Sequence, residues 1–286
     1  QPATRWYAAF HNNALFRSDD GGVSWSAPVS SLAGYQSIFT VRTHPNDGRT
    51  VYVGTEQGLL VSDSLGAGLH ALGNLPAADI SSIEIDPREP TRIWATVRGE
   101  GLYRSENAGT TFVAVRAFDV MRVFMNPGYP STLYLIGRNR NSEVTHDGGV
   151  TWHALDNVTT FPGLGRETGW RRFIDGNMCG VAPNPEDSLD AVVYANSTIF
   201  RTTDGGRLFE ESATGWTGNA WSWWNGAAAF DRLNPDRFAF FCNDIGMRIT
   251  VTGGNWFESG TNAQAWTWYQ ANEISWLGAY AGDFLP

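Results

Sequence analysis

Three carboxylates in predicted loops, Asp244, Glu56 and Glu100, could perform acid–base chemistry. Two carboxyls that flank a glycosidic bond hydrolyse it with retention at roughly 5–5.5 Å apart and with inversion at roughly 6.5–9.5 Å. Asp244 with Glu56 or Glu100 would make such a pair. The alternative for each is a solvated loop carboxylate, the usual state of Asp and Glu. The three are therefore the candidate catalytic acids, and the sequence gives no distance between them.

Basic candidates fall in the same predicted loops as the carboxylates, and aromatic candidates fall in a second set of loops expected on the same face. Exposed aromatic rings stack on sugar faces, and a row of them suits an extended glycan. The alternative is that these rings pack the loops together or wedge between sheets, although surface loops bury few rings. The candidates for substrate binding are Trp170, Trp221, Trp223, Trp266, Trp268, Arg138 and Arg140.

The sequence lacks the residue patterns of other common catalytic sites. The sequence has no Gly-rich phosphate loop, no Ser-His-Asp spacing and no His-Glu-x-x-His segment. The two cysteines, Cys179 and Cys242, do not have zinc-ligand spacing. We therefore expect no cofactor and no metal.

The charge of the chain limits its partners. The formal net charge is -9, and the 20 basic residues are all Arg. An acidic chain without basic clusters is a poor match for a nucleic-acid backbone, and no apolar run approaches the ~20 residues of a membrane span. We expect neither nucleic acid nor a membrane span. The start at Gln1 fits either a removed signal peptide or a piece of a longer chain, and both interpretations stay open.

An eight-residue pattern repeats along the chain. Its members have Ser or Thr first, Asp or Asn third, Gly fifth and usually a hydroxyl seventh, and they end in Trp or Phe. Clear copies are Ser18–Trp25, Ser105–Phe112, Thr145–Trp152 and Thr202–Phe209, and weaker copies start at Ser62 and Thr250. The copies start about 40 to 57 residues apart, a spacing typical of one four-stranded propeller blade. The closing aromatic is expected to be buried between neighbouring sheets.

Proline turns mark a second point in each repeat. Segments such as His44–Asp47 and Asn184–Asp187 precede short apolar stretches, and Pro predicts a loop there because it cannot donate to a sheet. Each blade is thus read as inner strand, proline turn, second strand, short loop, third strand, acidic turn and outer strand. Inner strands are expected near 37–43, 80–85, 119–125, 177–183 and 225–230.

The first blade lacks its inner strand. It opens at the predicted strand Trp6–Phe10, followed by a strand near Ala14–Arg17. A strand from the C-terminus, near Glu273–Tyr280, could complete it, which would remove both sheet edges. The sequence thus predicts an all-β fold, a β-propeller of six four-stranded blades formed by residues 1–286 as one domain. A seventh blade would need ~45 more residues from a longer chain.

The cysteines lie on neighbouring predicted blades. Cys179 starts an inner strand, and Cys242 ends the second strand of the next blade, so both approach the same face. A disulfide between them is expected, and it would fit an oxidising, extracellular compartment.

The repeat resembles the Asp-box, or BNR repeat, of the sialidase-like β-propellers and the xyloglucanase-type glycoside hydrolases. In such families the box is structural and lies opposite the ligand site. The sialidase F-R-I-P segment is absent before the first copy. The segment Cys242–Arg248 is similar to the T-D-I-G-G-x-Y-R segment that carries a catalytic Asp in the xyloglucanase-type enzymes, which implies that Asp244 is that acid. Members of that family have two propeller domains that both contribute acids.

Two functions follow. The first is a secreted, carbohydrate-acting propeller that binds an extended polysaccharide on a Trp-rich face and, in the catalytic case, hydrolyses it as a glycoside hydrolase. The second is a non-catalytic Asp-box propeller that acts as a binding or scaffold module among other subunits of a larger extracellular assembly. The fold alone does not choose between them, because function depends on the site.

Overall fold

The computed structural model of the chain describes residues 5–10, 14–27, 29–32, 34–137, 142–155, 178–195, 198–211, 227–231, 234–242 and 246–250. These residues form strands, turns and bends, and the described part contains no helix long and apolar enough to cross a membrane. The chain divides into two compact units, and the division falls between Val123 and Phe124.

The first unit contains three sheets in which strands follow one another in chain order. The first sheet has β1 (Trp6–Phe10), β2 (Ala14–Ser18) and β3 (Ser30–Ser31). The second has β4 (Ile38–His44), β5 (Asp47–Thr55), β6 (Gly58–Ser62) and β7 (His70–Ala71), and the third has β8 (Ile80–Ile85), β9 (Ile93–Val97), β10 (Gly101–Ser105) and β11 (Val113–Arg116).

The second unit repeats this plan. The fourth sheet has β12 (Val120–Met125), whose first residues belong to the first unit, β13 (Leu133–Gly137), β14 (Glu143–Thr145) and β15 (His153–Ala154). The fifth has β16 (Met178–Pro183), β17 (Ala191–Ala195), β18 (Thr198–Thr202) and β19 (Glu210–Glu211), and the sixth has β20 (Ala227–Asp231), β21 (Asn234–Cys242) and β22 (Gly246–Thr250).

The predicted all-β fold class is confirmed, and so is the order of strands that the repeats predicted within each sheet. Four sheets have the expected four strands, and the predicted inner strands correspond to β4, β8, β12, β16 and β20. The first sheet opens with the predicted strand Trp6–Phe10. Residues 273–284, which were expected to complete it, lie outside the described residues, and so does the outer strand expected after β22.

The second strands of the third and fourth sheets read as continuous apolar runs, and both of their faces are buried. All five residues of Ile93–Val97 are buried, and so are all five of Leu133–Gly137. Packing joins consecutive sheets within each unit: Tyr52 and Leu59 of the second sheet share a core with Ile83 of the third. Each such side chain, when fully buried, stabilises the fold by about 1.5–3 kcal/mol.

The turn between the third and fourth strands, here called the outer turn, is held by its hydroxyl and its acid. Thr145 Oγ1 donates to Asp147 Oδ1 at 2.7 Å and accepts from Gly149 N at 3.0 Å, while Asp147 Oδ1 accepts from Thr151 N at 2.9 Å. The outer turns that start at Ser18, Ser105 and Thr202 repeat these bonds.

The fifth residue of the outer turn must be Gly. Gly149 has φ +87° and Gly206 has φ +89°, a region that side chains rarely adopt. At Gly206 a Cβ atom would also lie 2.6 Å from Leu155 Cδ2 of the preceding sheet. The turn thus brings two sheets into close contact.

The aromatic residue that closes the outer turn is buried in two of the four clear copies. Phe112 is 4% exposed and Phe209 is 1% exposed, as predicted. Asn74 of the preceding sheet holds Phe112 at both backbone groups, accepting from Phe112 N at 2.6 Å and donating to Phe112 O at 3.2 Å.

The prediction of burial is wrong for Trp25, which is 42% exposed, and holds only partly for Trp152, which is half-buried. Phe112 and Phe209 each share a core with side chains of the sheet before their own, such as Leu59 for Phe112 and Val144 for Phe209. Among the described residues, the sheet that contains Trp25 has none before it.

Three inner strands share an irregularity near their first residue. The pairing register shifts between Ile38 and Thr40, between Ile80 and Ser82, and between Met178 and Gly180. Phe39, Ser81 and Cys179 are therefore the extra, bulged residues. In the third sheet the bulge lets Ser81 and Ser82 each form a 2.8 Å hydrogen bond with Thr96, while Ser82 Oγ accepts from Val123 N at 2.9 Å.

Replacement of Phe209 or Phe112 by Ala should lower the free energy of unfolding by about 3–5 kcal/mol, since each removes a buried ring and leaves a cavity. Urea denaturation of each variant measures this. The matched control is Trp25→Ala, whose ring is partly in solvent and whose loss should cost clearly less. Equal losses at Trp25 and Phe209 would contradict the packing described here.

The outer-turn acids should make stability depend on acid pH. The hydroxyl and amide of Ser24, with the Ser18 hydroxyl, lower the pKa of Asp20 to about 2, and Thr151 holds the pKa of Asp147 below its usual range. A lowered folded-state pKa gives stability that is complete above the unfolded pKa of about 3.9 and is lost as the pH falls towards 2.

The test is a variant with Asp20→Asn and Asp147→Asn, since Asn107 already fills this position in the outer turn of the third sheet. We expect its urea midpoint to fall less than that of the parent between pH 4 and pH 2. Parallel loss in both proteins would show that other groups cause the acid sensitivity.

Candidate functional site

Two short turns of the first unit carry the predicted site residues that the structure describes. The turn between the second and third strands, here called the upper turn, is Glu56 and Gln57 in the second sheet, where Thr55 pairs with Gly58. In the third sheet the upper turn is 98–100, where Val97 pairs with Gly101. Gly101 has φ +138°, and a Cβ there would overlap Arg116 O at 1.8 Å, so this turn also requires Gly.

Glu56 fastens its turn to the chain segment before β4. Its Oε1 accepts from Gln36 N at 2.7 Å and its Oε2 accepts from Ser37 N at 3.0 Å, while Gln57 Nε2 donates to Oε1 at 3.0 Å. Desolvation opposes ionisation of this carboxyl, but these donors together outweigh it and lower its pKa. Glu56 is therefore an ionised carboxylate whose two oxygens already accept hydrogen bonds that hold the turn in place.

Arg98 is held in place from two sides. Its Nη1 donates to Asp79 Oδ2 at 2.8 Å, and its Cζ lies 5.1 Å from the ring centroid of Phe39, the bulged residue of β4. An arginine over an aromatic face at this distance is a cation–π contact. The next residue, Gly99, donates its N–H to Asp119 Oδ1 at 3.2 Å. The turn is thus tied to the segments before both β8 and β12.

Glu100 completes this turn with an exposed side chain. Its backbone N–H donates to Val97 O at 3.0 Å, which closes the turn. Since Arg98 touches Phe39 near the start of β4, the upper turn of the third sheet lies at the same end of the sheets as Glu56. The structure thus places both predicted carboxylates, Glu56 and Glu100, on one loop face of the first unit.

The other predicted site residues lie outside the described residues. These are the carboxylate Asp244 and the binding candidates Arg138, Arg140, Trp170, Trp221, Trp223, Trp266 and Trp268. The strands around Asp244 are described: Cys242 pairs with Gly246, which leaves three residues between them, as Val97 and Gly101 leave 98–100.

Sequence reasoning missed the residues that hold the turns. Asp79 and Asp119 each immediately precede an inner strand, and that shared position was a signal that could have identified them. Phe39 had no comparable signal, because its role depends on which sheet lies beside it.

This loop face offers carboxylates, a guanidinium and an aromatic ring, held by short bonds. Carboxylates can accept hydrogen bonds from hydroxyl groups, and aromatic rings can stack on flat surfaces. Within the described part of the chain, no group of three or more His, Cys, Asp or Glu side chains could hold a metal ion.

Comparisons with known proteins give the fold. No protein-family model matches the sequence, and no curated protein matches it. Among solved structures, the GH74 enzyme of Niastella koreensis matches with a TM-score of 0.69 and 18% identity, over 90% of this chain and 44% of that one. The GH74 xyloglucanase from Xanthomonas campestris gives 0.64 and 17%, over 90% and 44%.

A smaller protein matches over more of its length. YCF48 bound to D1 peptide matches with a TM-score of 0.58 and 12% identity, over 86% of this chain and 74% of that one. This chain spans less than half of each GH74 enzyme, and the identities are low, so these likenesses bear on architecture alone. Together with the repeated antiparallel sheets, they show that the chain has a propeller-like, all-β fold.

Proposed function

We propose that the chain is a secreted, carbohydrate-acting β-propeller that binds an extended polysaccharide on the face carrying the upper turns. The observation that carries this proposal is the fold likeness to the two GH74 enzymes. The sequence similarity around Asp244 supports it independently, because it concerns residues rather than architecture.

The proposed architecture is one propeller of six blades over residues 1–286. The outer turns are its Asp-boxes, supported by the hydroxyl–acid–glycine bonds that recur in four of them. Ring closure by a strand from residues 273–284 beside β1 is part of the proposal. The three-stranded first sheet and the exposed Trp25 support it, since the other complete sheets have four strands.

The rigidity of the upper turns supports ligand binding there. The turns of Glu56 and Arg98 are fixed by bonds to neighbouring segments, so a ligand would not have to order them. A preformed site loses less conformational entropy on binding. The stacking surface in this proposal comes from Trp170, Trp221, Trp223, Trp266 and Trp268, with Arg138 and Arg140 as polar contacts.

The chemical roles follow from the state of each carboxyl. Asp244 is the proposed principal acid. Glu100, with its exposed side chain, can exchange a proton with a ligand. Glu56 is ionised and already bonded to two backbone amides, which suits a role in positioning the loop or in charge stabilisation rather than in proton donation. No cofactor or metal is part of the mechanism.

A second function is supported by the fold likeness to YCF48 bound to D1 peptide, a structure solved with a bound peptide. In this alternative the propeller is non-catalytic and binds a peptide or glycan among other subunits of an extracellular assembly.

Replacement of Asp244 by Asn separates the two functions. Asparagine keeps the shape and removes the charge, so in a hydrolase the release of reducing ends should fall about 10²–10⁴-fold while binding persists. A polysaccharide panel that includes xyloglucan, scored for binding and for reducing ends, measures both. Glu186→Gln is the control, since this exposed carboxylate lies on the proline turn between β16 and β17.

Binding without release of reducing ends, with larger losses from Trp→Ala than from Asp244→Asn, would identify a binding module. No binding to any polysaccharide would refute the carbohydrate function altogether.

Glu56 and Glu100 should respond differently to the same change. Glu56→Gln turns one accepting oxygen into an NH₂ that faces Gln36 N–H or Ser37 N–H, so the thermal midpoint should fall. Glu100→Gln should leave the midpoint unchanged and lower polysaccharide turnover or affinity. A fall in the midpoint for Glu100→Gln but not for Glu56→Gln would reverse these assignments.

A further inference from the structure

The guanidinium of Arg98 has one edge that is not used within the described part of the chain. Its Nη1 donates to Asp79 Oδ2 at 2.8 Å, whereas Nε and Nη2 have no acceptor among the described residues. Arg201 shows what that edge can do, because its Nε and Nη2 donate to the two oxygens of Asp190 at 2.8 and 2.6 Å. Arg98 therefore keeps a pair of parallel donors open to a ligand.

This guanidinium is exposed but already fixed. The side chain is 42% exposed, and its Cζ lies 5.1 Å from the ring centroid of Phe39. The backbone N–H of Arg98 also donates to Asp79 O at 2.9 Å. Arg49 is exposed as well, but its side chain has neither an acceptor nor a ring contact in the part of the chain that the structure describes. Because Arg98 is held before a ligand arrives, binding restricts it less than it would restrict a side chain such as Arg49.

Carboxylates surround the upper turn that carries Arg98. Asp79 shares the guanidinium, and Asp119 accepts from Gly99 N at 3.2 Å. Glu100 is the third residue of the turn, and its side chain is exposed. A carboxylate ligand that approached Nε and Nη2 would meet these like charges, which oppose binding. A hydroxyl oxygen accepts from the same donors without that repulsion.

We propose that Arg98 is a ligand-contacting residue of the polysaccharide face and that it selects neutral sugars there. Its Nε and Nη2 donate to hydroxyl oxygens of the sugar, and the carboxylates of Asp79, Asp119 and Glu100 disfavour sugars that carry a carboxylate of their own. This inference rests on the proposed function, because it assigns a contact and a preference within the same face.

Replacement of Arg98 by Lys tests the contact. Lysine keeps the positive charge beside Asp79 and removes the planar pair of donors, so the thermal midpoint should change little. Affinity for a neutral polysaccharide should fall about 10-fold or more, as expected for the loss of hydrogen bonds from a charged donor. Arg49→Lys is the matched control and should leave the affinity unchanged, since Arg49 lies near the start of β5, at the end away from the upper turn.

The probes are xyloglucan, galactomannan and hydroxyethyl cellulose as neutral polysaccharides, and polygalacturonate and alginate as polysaccharides that carry carboxylates. Isothermal titration of the full chain measures the affinity for each. The parent protein should bind at least one neutral probe, and it should bind that probe more tightly than either of the acidic ones.

Replacement of Asp79 by Asn tests the preference. Asparagine still offers an oxygen to Arg98 Nη1 but carries no charge, so the charge of the guanidinium is no longer balanced. Binding of polygalacturonate should rise about fivefold at low salt and lose that gain at high salt, while affinity for the neutral probe stays within about twofold. A purely structural role of the Asp79–Arg98 pair would not change which class of polysaccharide is preferred.

The outcomes separate this inference from the function on which it rests. Unchanged affinity in Arg98→Lys, or a loss that accompanies a fall in the thermal midpoint, would overturn the contact. Tighter binding of the acidic probes by the parent protein, or no gain in Asp79→Asn, would overturn the preference and leave the carbohydrate function intact. A parent protein that binds none of the probes would refute the proposed function and the role of Arg98 with it.

Discussion

Burial of one sheet face against the next sheet is the constraint on which the rest of this structure depends. A sheet whose second strand is apolar on both faces, as at Ile93–Val97, must bury those faces against other parts of the chain, because exposed apolar surface is unfavourable in water. The outer turn provides the contact, because its hydroxyl and acid hold two residues at positive φ and bring a glycine against the preceding sheet. Where the closing residue then reaches that sheet, as Phe209 does, it is almost fully buried.

The same arrangement positions the loop face. The upper turns of the second and third sheets each lie next to the segment that enters the inner strand of their own sheet, and the upper turn of the third sheet also bonds the segment before β12. Asp79 accepts a hydrogen bond from Arg98, and Asp119 accepts one from the backbone amide of Gly99. Glu56 differs because it belongs to the turn itself, where it accepts hydrogen bonds from the backbone amides of Gln36 and Ser37. The loops are thereby ordered by the fold rather than by a ligand.

The sequence predicted what is local and failed where a contact depends on a neighbour. The hydroxyl–acid–glycine pattern predicted the outer turns, because all of its bonds form within a few residues. It could not predict the exposure of Trp25, which obeys the same local pattern as Phe112 but has no preceding sheet among the described residues. The catalytic candidates Glu56 and Glu100 looked alike in sequence, and only the structure distinguished the bonded carboxylate from the exposed one.

That distinction bears directly on mechanism. A general acid must keep its proton until the leaving oxygen takes it, so a carboxyl whose pKa is lowered is poorly suited to that step. The backbone donors of Gln36 and Ser37 lower the pKa of Glu56 and therefore confine it to ionised roles. Proton donation in the proposed hydrolysis thus rests with a carboxyl free of such donors. Under the proposed function, a propeller that lacked such a carboxyl would bind a polysaccharide without cleaving it.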